Sequence, residues 1–169
     1  MKLLALFVGT LIVILIWANH RSERLPIDAR ADYVQVDKSK HRLVLLRKGN
    51  PLKVYRIALG SRTVGHKEFE GDGKTPEGLY EIDSRKLHSA FHRSLHVSYP
   101  NASDIQTAKD KGMAPGGAFM IHGIGSGLGW IGHLHHLVDW TDGCMAVTNW
   151  EIEEIWQAVP DGTPIEIRP

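Results

Sequence analysis

The single cysteine of the chain lies in a segment that could carry out covalent chemistry. Cys144 follows Gly143, precedes a β-like run, and comes after an Ile-His-Gly segment that contains His122. One thiol cannot form an internal disulfide and is too few ligands for a thiolate zinc site. A cysteine with a histidine as its base is the arrangement of Cys–His acyl-transfer enzymes. The alternative is an inert buried thiol, because free cysteine packs as a small hydrophobe.

A second group of titratable residues lies between His122 and Cys144 in the sequence. His133, His135 and His136 cluster near Asp139 and raise the question of a zinc site. Their spacing is poor for metal binding, and the chain has no HExxH motif. We therefore predict no metal site and interpret these residues as histidines of a surface loop.

Composition restricts the class of protein. The chain has 169 residues, which suits one domain with a proper core. Lys and Arg total 20 against 19 for Asp and Glu, so no electrostatic field favours nucleic acid as a partner. The hydrophobic fraction of 43% is ordinary for a globular protein.

The N-terminus predicts export. Residues 3–18 are almost entirely apolar and follow Lys2, which is typical of an export signal. No small-x-small cleavage motif lies near Ala18, so residues 1–18 are predicted to be an uncleaved signal-anchor that holds the protein in the inner membrane. Residues 19–31 are polar and are interpreted as a linker, and residues 32–169 as the folded domain. Export would place that domain in the periplasm or cell-wall space, or would secrete it if the segment were cleaved.

The remaining pattern predicts a mainly β fold with few helices. Short apolar or alternating runs separated by Gly and Pro turns indicate a β-sandwich or barrel. The residues from Gly123 to Trp140 show no strand pattern, and we predict a long loop over the active site. Helices are expected at Ser103–Lys111 and Trp150–Val159, the second with a capping box of Thr148 and Glu151. Strands are expected at residues 33–36, 41–46, 52–59, 78–82, 95–99, 118–122, 144–147 and 164–167.

Several segments, in this order, resemble the L,D-transpeptidase catalytic-domain family (YkuD-like). They are Gly71-Asp72-Gly73-Lys74-Thr75-Pro76-Glu77-Gly78, Leu95 to Asn101, Met120-Ile121-His122-Gly123, Thr141-Asp142-Gly143-Cys144 with Asn149, and Asp161 to Ile167. The resemblance covers Tyr33 to Arg168 and implies an L,D-transpeptidase-type β-sandwich. It also implies a cysteine acyltransferase that acts on peptidoglycan stem peptides, with an amine as acceptor, and without a cofactor.

The resemblance implies roles for named residues. Cys144 would be the nucleophile and His122 the base that generates the thiolate. The backbone N–H groups of Gly143 and Cys144 would form the oxyanion hole. Supporting roles fall to Gly123, Thr141, Asp142 and Asn149, and candidate substrate contacts are His96, Arg93 and Trp130.

The sequence also departs from the family pattern. Asp142 stands where a histidine is common and should raise the pKa of the thiol, and Ala146 replaces an arginine that could hold a carboxylate. The interval between His122 and Cys144 is also long. An L,D-specific peptidase or amidase that hydrolyses the acyl-enzyme therefore remains an alternative to a transpeptidase, and a non-catalytic wall-binding module is a third. The acceptor could be a wall-attached protein amine.

Overall fold

The computed structural model describes residues 2–125 and 127–169. Three α-helices are α1 (Lys2–Ala18), α2 (Ala102–Asp110) and α3 (Asn149–Ala158), and a stretch of 3-10 turns, here the 3-10 segment, covers Gly129–Leu137. The strands are β1 (Tyr33–Asp37), β2 (Arg42–Arg47), β3 (Asn50–Arg56), β4 (Gly78–Ser89), β5 (His92–Val97), β6 (Met120–His122), β7 (Met145–Ala146) and β8 (Thr163–Arg168).

The eight strands form one sheet in the order β3-β2-β1-β8-β4-β5-β6-β7, curled into a half-barrel. The pairs β1–β8 and β6–β7 are parallel, and the other neighbours are antiparallel. Each predicted strand is present, so the mainly β class with few helices is confirmed. The parallel β6–β7 pair matters most here, because it carries His122 next to the segment that contains Cys144.

The core follows from strand alternation. In β1, Val34 and Val36 are fully buried while their neighbours are partly exposed, as the two-residue period of a strand requires. Helix α3 adds Ile152 and Ile155 to the same core. The helix begins at Asn149, one residue before the predicted start, and the predicted capping box is present. Thr148 accepts from the N–H of Glu151, and the Glu151 carboxylate accepts from the N–H of Thr148 at 2.9 Å.

The N-terminal apolar run forms α1 and packs on the domain at one end only. Ala18 is fully buried, whereas most side chains nearer the start of α1 are exposed. A Cβ added to Gly132 in the 3-10 segment would lie 2.9 Å from the carbonyl carbon of Ala18, so the two backbones meet closely there. The side chain of Asn19 also donates to the carbonyl of Trp130 at 2.8 Å.

In the described parts, 2–125 and 127–169, none of the helices has the length and apolar character that crossing a bilayer requires. This finding does not support the membrane anchor predicted for residues 3–18. Helix α1 has 17 residues, about 25 Å, against a hydrocarbon core of about 30 Å.

The segment between Gly123 and Trp140 is more ordered than predicted. It contains the 3-10 segment, which Gly132 interrupts with a φ of 51°. The prediction that His135 and His136 are surface residues is wrong, since they are only 6% and 7% exposed. The cause is mutual packing: their rings lie 3.8 Å apart, and His135 also packs edge-on against Trp140.

Candidate active site

Strand register brings His122 close to the segment that carries Cys144. Ile121 pairs with Met145 and His122 with Ala146, and both Ile121 and Met145 belong to the hydrophobic core. By the two-residue period, His122 and Ala146 lie on the opposite side of these strands from Ile121 and Met145. Cys144 lies just before β7 and packs in part against the hydrophobic core.

The protonation of His122 follows from its hydrogen bond. Its Nδ1 lies 2.7 Å from the carbonyl oxygen of Gly123. A carbonyl oxygen can only accept, so Nδ1 carries the proton and Nε2 carries the lone pair in the neutral ring. His122 is 3% exposed, and burial lowers its pKa, against the opposing effect of the Gly123 carbonyl. The ring is therefore a neutral imidazole with a basic Nε2 near pH 7.

Two aromatic side chains surround the His122 ring. Phe91, at the turn between β4 and β5, lies 4.4 Å away between ring centroids, and Trp140 lies 5.8 Å away in an edge-on orientation. We did not predict this role for Phe91, because its position depends on the hairpin turn rather than on a motif. Trp140 is 37% exposed.

The hydroxyl of Thr141 organises the turn that carries the cysteine. It donates to the carbonyl of Cys144 at 2.7 Å and accepts from the N–H of Gly143 at 3.2 Å. The supporting role expected of Thr141 thus corresponds to two hydrogen bonds. The same geometry argues against Gly143 as an oxyanion donor, because its N–H is already paired. Within the described residues, the N–H of Cys144 has no acceptor.

A glycine is required at position 143 for two reasons. Its φ is 134°, a conformation that side chains disfavour. A Cβ there would also lie 2.6 Å from the carbonyl oxygen of Lys74. The carbonyl of Gly143 accepts from the hydroxyl of Thr75 at 2.7 Å, and this hydroxyl in turn accepts from the N–H of Gly60 at 3.2 Å. The segment that contains Thr75, one of those that resemble the family, therefore supports the cysteine segment directly.

Gly123 and Asn149 hold the chain that leaves His122. The Asn149 side-chain oxygen accepts from the N–H of Ile124 at 2.7 Å, and a Cβ on Gly123 would lie 2.7 Å from that oxygen and 2.9 Å from the carbonyl oxygen of Phe91. Gly123 is thus needed for close approach, while Asn149 fixes the direction of the following segment.

Cys144 opens into a cavity of about 320 Å³. Its Sγ–H donates to the carbonyl oxygen of Ala118 at 3.7 Å. Burial raises the pKa of the thiol and Asp142 adds to this, while the backbone N–H of Met120 and the cation of Lys67 lower it. The effect expected of Asp142 on the thiol is therefore present, but burial contributes more.

Charged residues of both signs line this cavity. Lys67 is 6% exposed, whereas Glu70 and Asp142 are exposed. Sequence reasoning missed Lys67, because a lysine in a polar loop is usually solvated. The burial could have been suspected only from the adjoining Asp72, whose carboxylate pairs with Lys67 Nζ at 2.8 Å.

None of the three candidate substrate contacts lines the Cys144 cavity. Arg93 stacks on Trp156 and pairs with Glu153 at 2.9 Å, on the side of α3. His96 pairs with Asp83 at 2.6 Å. Trp130 lies in the 3-10 segment beside the end of α1 and is 59% exposed. Their geometry gives no support to the predicted contacts.

In the described part of the chain, no group of three or more His, Cys, Asp or Glu side chains is arranged to hold a metal ion. The site geometry supports a different kind of chemistry: a thiol in an open cavity, an imidazole with a free basic nitrogen on the neighbouring strand, and an unpaired backbone N–H at the thiol-bearing residue. This combination is suited to nucleophilic acyl transfer.

Comparison with known proteins agrees with the resemblance found in the sequence. A family model described as the L,D-transpeptidase catalytic domain, YkuD, matches residues 31–167. The Escherichia coli protein named "Putative L,D-transpeptidase YafK" is 30% identical over 133 residues, which are 75% of this chain and 46% of YafK. The chain thus spans less than half the length of this relative.

Solved structures show the same fold. The helical cell shape determining protein Pgp2 from Campylobacter jejuni superposes with a TM-score of 0.62 at 24% identity, over 92% of this chain and 54% of Pgp2. An L,D-transpeptidase from Xylanimonas cellulosilytica gives a TM-score of 0.53 at 17% identity, over 87% of this chain and 65% of that one. With the family match to residues 31–167, the chain belongs to the YkuD family of L,D-transpeptidase catalytic domains.

Proposed function

We propose that this protein is an exported, cysteine-dependent acyltransferase that acts on peptidoglycan stem peptides. The observation that carries the proposal is the parallel pairing of β6 with β7. His122, whose Nε2 is free, pairs there with Ala146, two residues after a cysteine that opens into a cavity. Family membership supports the substrate class. The apolar helix α1 supports export of the domain to the periplasm or cell-wall space.

The chemistry assigns one step to each group. Nε2 of His122 takes the proton of the Cys144 thiol while the sulfur attacks the carbonyl carbon of a stem-peptide residue on its L-centre. The oxygen that becomes negative accepts a hydrogen bond from the N–H of Cys144. The C–N bond to the terminal D-residue breaks, and the His122 imidazolium returns the proton to the leaving amine. A thioester on Cys144 remains.

The second half of the reaction transfers the acyl group. An acceptor amine attacks the thioester, His122 removes a proton from that amine, and the thiol of Cys144 is restored. Water could replace the amine, in which case the outcome is hydrolysis. A wall-attached protein amine is one further acceptor that the same chemistry would accept.

The directions of the pKa shifts specify the resting state. The pKa of the thiol is raised and that of His122 is lowered, so both groups are neutral near pH 7. A thiolate–imidazolium pair is disfavoured by burial of both partners. His122 therefore acts as a general base during attack, rather than as the partner of a preformed thiolate.

The test uses the full-length chain with purified muropeptides and mass spectrometry of the products. We expect loss of a terminal D-residue together with cross-links or exchange of D-amino acids. Cys144→Ala should abolish all products, and His122→Ala should lower the rate about 10²- to 10⁴-fold, the usual contribution of a general base. Arg62→Ala, a change at an exposed residue, serves as the control.

The outcomes separate the alternatives. Simple release of a residue without transfer would replace the transferase by a peptidase or amidase. Turnover that persists in Cys144→Ala would overturn the assignment of the nucleophile, and turnover unaffected by His122→Ala would overturn that of the base. If the wild-type protein binds muropeptides and produces no change in them, the protein is a binding module.

A further inference from the structure

Lys67 places a positive charge beside the thiol-bearing turn. A Cβ added to Gly143 would lie 3.8 Å from Lys67 Nζ, and Gly143 immediately precedes Cys144. Lys67 and Cys144 line the same cavity. Lysine is seldom buried without a partner, because removing its charge from water is costly.

The ion pair with Asp72 uses only one of the three N–H donors of the Lys67 ammonium. Of its three N–H donors, one binds Asp72 Oδ1 at 2.8 Å and one binds the carbonyl of Phe69 at 3.1 Å. Within residues 2–125 and 127–169, no acceptor is present for the third. Asp72 also accepts the N–H groups of Glu68, Phe69 and Lys74, so its carboxylate is satisfied by the loop backbone as well.

The other charged residues that line the cavity are negative. Glu70 and Asp142 are exposed, while Lys67 is buried. An anion would be attracted to Lys67 and repelled by the two carboxylates, and a cation would experience the reverse. A group that complements both the positive Lys67 and the two negative residues carries a carboxylate and an ammonium close together.

We propose that the cavity is a subsite for a free amino-acid group of the substrate, with its carboxylate on Lys67 Nζ and its ammonium toward Glu70 and Asp142. The inference rests on the proposed function, since the group would belong to the peptide that acylates Cys144. It assigns to Lys67 a role in specificity in addition to its ion pair with Asp72.

The test measures the charge preference of the cavity with alkylating probes. Iodoacetate carries a carboxylate and iodoacetamide is neutral, so the ratio of their second-order rates at Cys144 is independent of the thiolate fraction. We expect Lys67→Met to lower this ratio about tenfold and Lys67→Arg to retain most of it. Lys74→Met removes a cation from the same loop that does not line the cavity, and it should leave the ratio unchanged.

A purely structural role for Lys67 predicts a different result. Asp72→Asn breaks the same ion pair but leaves the cation, so we expect it to raise the ratio, opposite to Lys67→Met. If Lys67 only neutralises Asp72, removing both charges in Lys67→Met/Asp72→Asn leaves the net charge of the pair unchanged and restores the wild-type ratio, and the proposal is overturned. Direct contact between Lys67 and the carboxylate predicts that the ratio of the double variant stays low. Urea titrations show whether Lys67→Met folds. If it does not fold, Asp72→Asn alone tests the proposal: a ratio of iodoacetate to iodoacetamide rates equal to or below that of the wild-type protein overturns the proposal.

A cationic reagent tests whether the cavity favours the ammonium of the proposed group. The rate of thiol modification by aminoethyl methanethiosulfonate, relative to neutral methyl methanethiosulfonate, should fall about fivefold or more in Glu70→Gln/Asp142→Asn. An unchanged rate would remove the ammonium from the proposal. These measurements need no turnover, so a failure of muropeptide turnover with a normal charge preference would contradict the proposed function and leave the subsite intact.

Discussion

At the scale of single residues, burial shifts the pKa values of the Cys144 thiol and the His122 imidazole in opposite directions. Burial disfavours the charged form of each, which raises the pKa of Cys144 and lowers that of His122. The hydrogen bond from His122 Nδ1 to the Gly123 carbonyl then leaves Nε2 basic. Reactivity at neutral pH therefore depends on proton transfer during attack.

These shifts predict the pH dependence of thiol alkylation. The rate with iodoacetamide should rise from pH 7 upward with its inflection above the ordinary thiol pKa of about 8.5. Asp142→Asn removes a neighbouring negative charge, so its inflection should move to lower pH. The measurement is a pH–rate profile, followed by loss of free thiol. An inflection below pH 8 in the wild-type protein would mean that a thiolate is preformed and that the general-base account is wrong.

At the scale of elements, the cysteine segment depends on the crossing of three backbone stretches. A Cβ added to Gly60 would lie 2.9 Å from the Cα of Gly143 and would also collide with the carbonyl of Gly73. Gly60 further forms an isolated bridge with Thr141. The loop that carries Lys67 is closed by Lys38, a buried side chain that donates to the carbonyl oxygens of Gly65 at 2.7 Å and Thr75 at 3.0 Å.

This crossing predicts a large effect from one methyl group. Gly60→Ala should lower the free energy of unfolding by about 2–4 kcal/mol, because backbone has to move to admit the side chain. Gly125→Ala is the matched control, since a Cβ there meets only ordinary contacts beyond 3.7 Å, and its cost should stay below about 1 kcal/mol. Urea denaturation measures both. Equal costs in the two variants would contradict the close crossing.

The elements could be predicted from the sequence to a large extent, whereas their contacts could not. Each predicted strand and the capping box of α3 are present because local alternation and capping chemistry specify them. The regular 3-10 turns at Gly129–Leu137 were not predicted, because the Gly- and His-rich sequence there follows no regular period. Burial of Lys67 and the stacking of Phe91 on His122 depend on distant parts of the chain meeting in space.

At the scale of the whole molecule, the buried histidines couple stability to pH. Burial, assisted by neighbouring histidines, lowers the pKa of His135 to about 4 and that of His136 to about 2, from 6.5. The unfolded chain therefore takes up protons first as the pH falls. Their contribution to stability is complete well above pH 6.5 and is lost progressively below it.

We expect the free energy of unfolding to fall between pH 7 and pH 5 by about 1–2 kcal/mol for each of these two histidines. His136→Leu should flatten this dependence by its own share, and His88→Leu, a change at an exposed histidine, should leave the slope unchanged. Urea titrations at the two pH values provide the measurement. A wild-type stability that is constant over this range would show that the histidines are solvated.

The position of β8 has a consequence for how the chain acquires its shape. This strand is the last of the described elements, yet it lies between β1 and β4 in the interior of the sheet. During synthesis, the group β3-β2-β1 and the group β4-β5-β6-β7 lack the strand that pairs with both until residue 168 has emerged from the ribosome. The eight-stranded sheet can therefore close only after this final strand has been made.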